Sequence, residues 1–434
     1  MAKITFIIER LSYYKTLGGV IDEALKRNHT VSLMYNREQI GLTQKGIETP
    51  FEQNCPIFLF GKPNIVAFDG IKKLRDKAIS ISDVVVLHCG CVSDHEKFID
   101  QPDTYPYQYQ AIRKSGIPVV SLHSHFYDNC LLKLNAYSSV DLTCVLSEYA
   151  INLHKQVLTE MCDLKGKEKE NYQKQIDTTM RNKVIVTGSA LFDLFDQFYH
   201  QKKDTSKKTD IVLFYPKFTY RDVFMDIFAR SKSRFVSAGI SVYYYKGNYL
   251  SKIMSTPRFD QIIKQIERVS NSNNLNVITK SRPKHNSYHE KQLKKISSLY
   301  ISGDSDQYYP EFTSMNILQH AKFCVHIRTS SVMESVIAGI PSVNIQIPND
   351  CINRSKRYIH FVKHLRSHLP DTIFNYSGCV WNIPWKDSVS FFKNLNIVEL
   401  EQNPKRRSSY IKYYCGINQR SASAKQMDAI ETIL

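Results

Sequence analysis

Apolar positions along this chain alternate between two periods. Residues 4–8, 31–35, 84–88, 119–123, 142–146 and 184–187 are apolar at nearly every position, the pattern of strands buried on both faces. Residues 57–60 form a further β-like run. Between these runs, residues 17–27, 68–79 and 107–114 carry apolar side chains at three- and four-residue spacing, which predicts amphipathic helices. Strands that alternate with helices argue for a parallel sheet covered on both faces.

The stretch 201–208, Gln-Lys-Lys-Asp-Thr-Ser-Lys-Lys, has no apolar residue. It can bury nothing and reads as an interdomain linker. A second alternating series follows, with strands expected at 211–215, 275–279, 299–302, 323–327 and 342–347, and helices at 259–269, 315–320 and 332–338. Residues 165–174 read as a solvated helix or loop. Residues 410–414 and 422–434 are helical in pattern, separated by Gly416. The expected division is 1–200, 209–400 and a C-terminal helical segment, 401–434, that returns to the N-terminal domain.

A length of 434 residues suits two domains of about 200 residues each. With 42% hydrophobic residues, both can be globular. The first apolar run meets Glu9 and Arg10 at once, unlike a signal peptide, and no window approaches the roughly 18 apolar residues of a membrane span. Ten cysteines are scattered from Cys55 to Cys415 without paired zinc-ligand spacing; only Cys89 and Cys91 are close. Reduced thiols in the cytoplasm fit this usage. A net charge of +17 implies attraction to anions: nucleotides, acidic glycans, a phospholipid face or nucleic acid. The modules of nucleic-acid-binding proteins are missing from the sequence.

Two segments in the second half could carry phosphate chemistry. The first runs from His326 through Arg328, Thr329, Ser330 and Ser331 to Glu334. Hydroxyls and free N–H groups at a helix start make an anion site, because unsatisfied donors and the positive dipole end coincide. Glu334, one turn inside, could accept from ribose hydroxyls. The alternative is a plain helix cap, with Glu334 closing a capping box. The second is Lys280-Ser-Arg282-Pro283-Lys284-His285, directly after an expected strand. Carboxyl ends of parallel strands are where such sheets bind ligands.

In the N-terminal half, strand ends carry Glu9 and Arg10, then His88 followed by Asp94 and His95, then His123, Ser124 and His125. A transferase must deprotonate an acceptor hydroxyl, and Glu9, Asp94, His123 and His125 are unranked candidates for that base. Gly18-Gly19 could let the first turn approach a ligand closely or could belong to a helix start. Asp304-Ser-Asp306 has a chelating spacing but is read as a polar loop, so no metal is expected.

These residues resemble a known superfamily. The whole chain resembles GT-B glycosyltransferases, and its second half looks like the branch near the CDP-glycerol glycerophosphotransferases, bacterial sialyltransferases, Kdo transferases and non-hydrolysing UDP-N-acetylglucosamine epimerases. The resemblance rests on Arg282, Pro283, His285, Ser330 and Ser331, on residues 184–189 as the end of the N-terminal domain, and on residues 410–416 as the closing segment. Arg328-Thr329 stands where relatives often carry an acidic residue or Thr-Asp.

The resemblance implies an α/β protein of two Rossmann-like parallel-sheet domains facing a cleft. The implied activity is metal- and cofactor-independent transfer from a nucleotide-sugar donor, with a lean to a CMP-activated acidic sugar such as Kdo or sialic acid. The acceptor would be a cell-surface glycan or a lipid-linked one at the inner membrane face, with no nucleic acid. A CDP-polyol phosphotransferase and a nucleotide-sugar epimerase are the alternatives on the same fold, and a basic nucleic-acid-binding protein is the alternative that charge alone suggests.

Overall fold

The computed structural model describes residues 1–9, 14–36, 58–68, 70–88, 105–123, 140–160, 164–201, 208–215, 257–281, 288–302, 313–327, 329–346, 369–417 and 420–434, together with Leu134, Tyr137 and Cys162. The chain forms two compact units. One takes Met1–Gln197 and Ile411–Leu434, the other Phe198–Asp306 and Thr313–Tyr410.

The first unit is built on seven strands: β1 (Lys3–Ile7), β2 (Thr30–Asn36), β3 (Asn64–Phe68), β4 (Val84–His88), β5 (Val119–Leu122), β6 (Leu142–Val145) and β7 (Val184–Val186). Their order is β3-β2-β1-β4-β5-β6-β7, and every pairing is parallel. Helices α1 (Tyr14–Lys26), α2 (Ile71–Ile81), α3 (Tyr105–Lys114), α4 (Glu148–Glu160), α5 (Gly166–Lys183) and α6 (Ala190–Gln201) fall between or after the strands. β4 is buried at all five positions, as a central strand covered on both faces must be. α1 buries Leu17, Val20, Ile21 and Ala24, the one-sided stripe of a surface helix.

The second unit repeats the plan with β8 (Asp210–Tyr215), β9 (Asn276–Ser281), β10 (Leu299–Ser302), β11 (Ala321–His326), β12 (Ser342–Gln346) and β13 (Val380–Pro384). The order is β10-β9-β8-β11-β12-β13, again parallel throughout. Its helices are α7 (Pro257–Ser272), α8 (Tyr288–Ile296), α9 (Thr313–Leu318), α10 (Ser331–Ile337), α11 (Ser388–Lys393) and α12 (Pro404–Tyr410). α7 places Phe259, Ile262, Ile263, Ile266 and Val269 in one core with Ile211, Leu213 and Val277. The two parallel α/β sheets expected from the sequence are present.

One expected strand is not. Residues 58–60 form a bend, because the Asp22 carboxylate accepts the backbone N–H of Leu59 at 2.7 Å and of Phe60 at 3.4 Å. Those donors are thereby withdrawn from any ladder, and the third strand forms at Asn64–Phe68, with its helix starting at Ile71. Strand β13 had no clear signal: it is a half-exposed edge strand ending at Pro384, where the missing N–H costs nothing.

The C-terminal segment, a π-turn at Ile411–Cys415 and helix α13 (Ala422–Glu431), lies in the first unit. The Asp193 carboxylate accepts the N–H groups of Ala422 and Ser423, both at 2.7 Å, and the Ser423 hydroxyl at 2.6 Å. A carboxylate on unsatisfied donors at a helix start is favoured by hydrogen bonding and dipole alike. Arg27, just past the end of α1, reaches Asp428 at 2.9 Å and Glu431 at 2.7 Å. Gly416 has φ +66, and a Cβ there would lie 1.9 Å from the Leu146 carbonyl oxygen. Gly19 sits inside α1, where a Cβ would come 2.6 Å from the Ser423 Oγ. Its smallness therefore serves helix packing against α13.

Asp193→Ala should weaken this anchorage by about 2–4 kcal/mol, the worth of buried charge-assisted hydrogen bonds. The apparent melting temperature should fall by at least about 4 °C, read by circular dichroism. An unchanged midpoint would show that α13 is held otherwise.

Candidate functional site

In a doubly wound sheet, ligands bind outside the carboxyl ends of the strands where the order reverses. In the second unit that point lies between β8 and β11. β11 ends at His326, and α10 begins at Ser331, so the predicted phosphate segment occupies the switch point. The basic loop after β9 starts on the far side of β8, two strand spacings or about 10 Å from β11. Arg282, Lys284, His285 and Arg328 lie outside the described residues, as do Pro283, Asp304 and Asp306.

The turn between β11 and α10 is organised from below by His326. Its ring is fully buried and stacks on Phe214, with centroids 4.9 Å apart and planes 7° from parallel. Nδ1 lies 3.1 Å from the Ser331 Oγ and Nε2 lies 3.1 Å from the Ser335 Oγ. Ser335 donates to the Ser331 carbonyl at 3.1 Å, so its hydroxyl accepts from Nε2–H, and Nδ1 is left to accept from the Ser331 hydroxyl. The Ser331 Oγ is in turn 2.5 Å from the Thr329 Oγ1, which also accepts the Ser331 N–H at 3.1 Å. Every proton in the chain has one place to go.

This settles how the two serines differ. Ser331 is buried and its hydroxyl is spent on His326 and Thr329. Ser330 occupies the cap position, half-buried, with no side-chain cap bond. Thr329 supplies the hydroxyl that accepts an N–H at the helix start. With Ser330 at the cap, Glu334 falls at the fourth helical position, one place beyond the residue that closes a capping box. Glu334 is half-buried at the end of the first turn.

The other end of α10 is also held. Arg407 donates from Nε to the Val336 carbonyl at 2.9 Å and from Nη2 to the Ile337 carbonyl. A guanidinium on the last carbonyls satisfies them and opposes the negative dipole end. Gly339, at φ +72, then turns the chain towards β12. Arg407 arrives from 70 residues downstream, so no local pattern marks it.

In the first unit the strand order reverses between β1 and β4. Glu9 follows β1, and its Oε1 accepts the Tyr109 hydroxyl from α3 at 2.6 Å. His88 closes β4 and is buried. His123 follows β5, buried, with its backbone N–H on the Cys144 carbonyl at 2.9 Å and its Nε2 2.8 Å from the Ser121 Oγ. Glu9, His88 and His123 thus share the carboxyl edge of one sheet. Tyr109 was not evident from sequence, because its neighbour Glu9 is 100 positions away. Asp94 and His125, with Arg10, His95 and Ser124, lie outside the described residues.

No family model matches this chain, and no curated protein matches it. Solved structures do resemble it. A Listeria monocytogenes protein described as a UDP-N-acetylglucosamine 2-epimerase aligns with a TM-score of 0.53 at 10% identity, covering 99% of this chain and 96% of the other. The H444N variant of the wall teichoic acid polymerase TagF aligns with a TM-score of 0.51 at 9% identity, covering 99% and 88%. The likeness is one of fold, and the fold is the two-sheet GT-B type. Five described cysteines, 144, 162, 324, 379 and 415, are free of disulfides. Among the described residues no helix is long and apolar enough to cross a membrane.

Burial pushes the His326 pKa down to about 3, whereas an unfolded imidazole titrates near 6.5, roughly. As pH falls, the unfolded state therefore takes up the proton first. The contribution of the neutral ring is complete above about pH 6.5 and is lost as pH drops towards 3. Denaturant titrations of wild type and His326→Asn should differ in slope by up to about 1.4 kcal/mol per pH unit between pH 6 and 4. Identical pH dependence would contradict a ring held neutral.

Proposed function

We propose that this chain is a GT-B glycosyltransferase that takes a nucleotide-sugar as donor. The observation that carries the reading is the strand-turn-helix from His326 to Ser331 at the switch point of the second sheet, within a fold that spans the whole chain. Ser330, Thr329 and Arg328 are assigned to the donor phosphates together with Arg282, Lys284 and His285, which follow β9 in the sequence, and Glu334 is assigned to the ribose. Fixed donors and cations aimed at the leaving phosphate stabilise the charge that develops there, in place of a metal. One of Glu9, Asp94, His123 and His125 removes the acceptor proton.

The donor favoured by the Arg-Pro-Lys-His and serine-pair pattern is a CMP-activated acidic sugar such as Kdo or sialic acid. A cell-surface glycan or lipid-linked acceptor at the inner face of the membrane suits a chain of net charge +17. Epimerisation of a nucleotide-sugar is the second reading, since the Listeria neighbour bearing that description shares the fold as well as the polymerase does. Products separate them: isomerisation without acceptor establishes the epimerase, and phosphate retained on the acceptor establishes polyol-phosphate transfer.

A thermal-shift screen with CMP, CDP, UDP, GDP and ADP should show selective stabilisation, growing with ln(1 + [L]/Kd). If none shifts the transition, the reading fails. Ser330→Ala should reduce the shift and leave the ligand-free transition within about 1 °C, because that hydroxyl makes no cap bond and bonds no other described residue. Ser331→Ala should lower the ligand-free transition by roughly 2–6 °C, because it leaves the buried Nδ1 of His326 without its donor. The reverse ordering would exchange the roles assigned to the two serines.

A further inference from the structure

Across the second sheet, register pairs Ile301 with Lys280, Lys280 with Phe214, Phe214 with His326, His326 with Asn344, and Asn344 with Asn382. Register partners in a parallel sheet project to the same face. That face therefore carries an imidazole and two carboxamides side by side, where a buried parallel sheet ordinarily has Val, Ile or Leu. Uncompensated polar groups would be costly there, and these are compensated. Asn344 Nδ2 donates to Asn382 Oδ1 at 2.8 Å, and Asn382 Nδ2 donates to Gln346 Oε1 at 2.9 Å.

The ladder has a direction. It starts at Asn344, which is buried, and ends at Gln346, the last residue of β12, which is half-buried. Because Gln346 receives through its oxygen, its amide nitrogen points its two N–H groups away from the ladder and bonds no other described residue. Gln346 stands two residues beyond the His326–Asn344 pair, at the carboxyl end of β12, and the turn that holds Thr329 and Ser331 leaves the carboxyl end of the neighbouring strand β11. Where they pair, β11 and β12 are one strand spacing apart, about 4.8 Å.

We infer that Gln346 is a specificity-determining residue that donates a hydrogen bond to an uncharged oxygen, a hydroxyl or acyl carbonyl, of the sugar carried by the nucleotide, with Asn344 and Asn382 as its positioning residues. This rests on the nucleotide-sugar reading above. A phosphate calls for cations or helix-start N–H groups, as Arg328 and the serine turn would offer. A neutral carboxamide held by neutral carboxamides adds no charge and suits the group bonded directly to the phosphate. The ladder fixes the side chain before ligand arrives, so little rotamer freedom is lost on binding.

The test uses isothermal titration of the full chain with the nucleoside diphosphates and monophosphates of the screen and with their commercially prepared sugar conjugates. Gln346→Leu should bind the bare nucleotide within twofold of wild type and its sugar conjugate about five- to tenfold more weakly. Gln346→Glu, which turns donors into a charged acceptor, should lose more of the conjugate. Asn382→Leu should give a smaller loss with the same sugar-only signature. Equal weakening for bare nucleotide and conjugate, or no change in either, overturns the inference and leaves the proposed function standing. Failure of wild type to bind any nucleotide overturns both.

Discussion

A neutral imidazole buried inside a parallel sheet has to find a partner for each ring nitrogen, and the second unit of this protein is arranged around that requirement. Burial holds His326 neutral, and it cannot be left unbonded without a penalty of the order of 1–3 kcal/mol. Ser331 and Ser335 meet the need from the first turns of α10. That sets the rotation of the helix over the sheet, and Arg407 fastens the opposite end. The turn between strand and helix is then left with few freedoms. Thr329 faces inward to Ser331, and Ser330 is the hydroxyl to spare. A phosphate site needs such pre-set donors, because groups already in place cost no reorganisation when charge develops.

The C-terminal segment obeys a comparable rule in the first unit. A helix brought to a surface by the last residues of a chain exposes its first N–H groups, and Asp193 absorbs two of them together with the Ser423 hydroxyl. Close approach is possible because Gly416 lies against the Leu146 carbonyl and Gly19 against Ser423, where side chains would collide. The ion pairs of Arg27 with Asp428 and Glu431 add orientation more than energy, since they are part-exposed.

Much of the architecture was legible in the sequence because parallel strands buried on both faces are apolar at nearly every position. β1, β4, β8 and β11 announce themselves in that way. The run 57–60 carried the same local signal, yet residues 58–60 form no strand, since Asp22, over 30 positions away, captured the N–H groups of Leu59 and Phe60. β13 escaped notice because an edge strand needs less apolar character. At the candidate site, the serines and Glu9 were visible as polar residues at expected strand ends. Their division of labour was not, because it depends on which hydroxyl an imidazole five residues earlier can reach.

The sequence by itself determined two parallel α/β units and the segment at the end of β11, because periodicity and helix-start chemistry are local. Tertiary structure alone decided that Ser331 serves the fold while Ser330 is left over, that Tyr109 bonds Glu9, and that Asn344, Asn382 and Gln346 form one directed ladder. These are pairings between residues distant along the chain, or choices among several hydroxyls. Such pairings are set by strand register and burial, which no local pattern encodes.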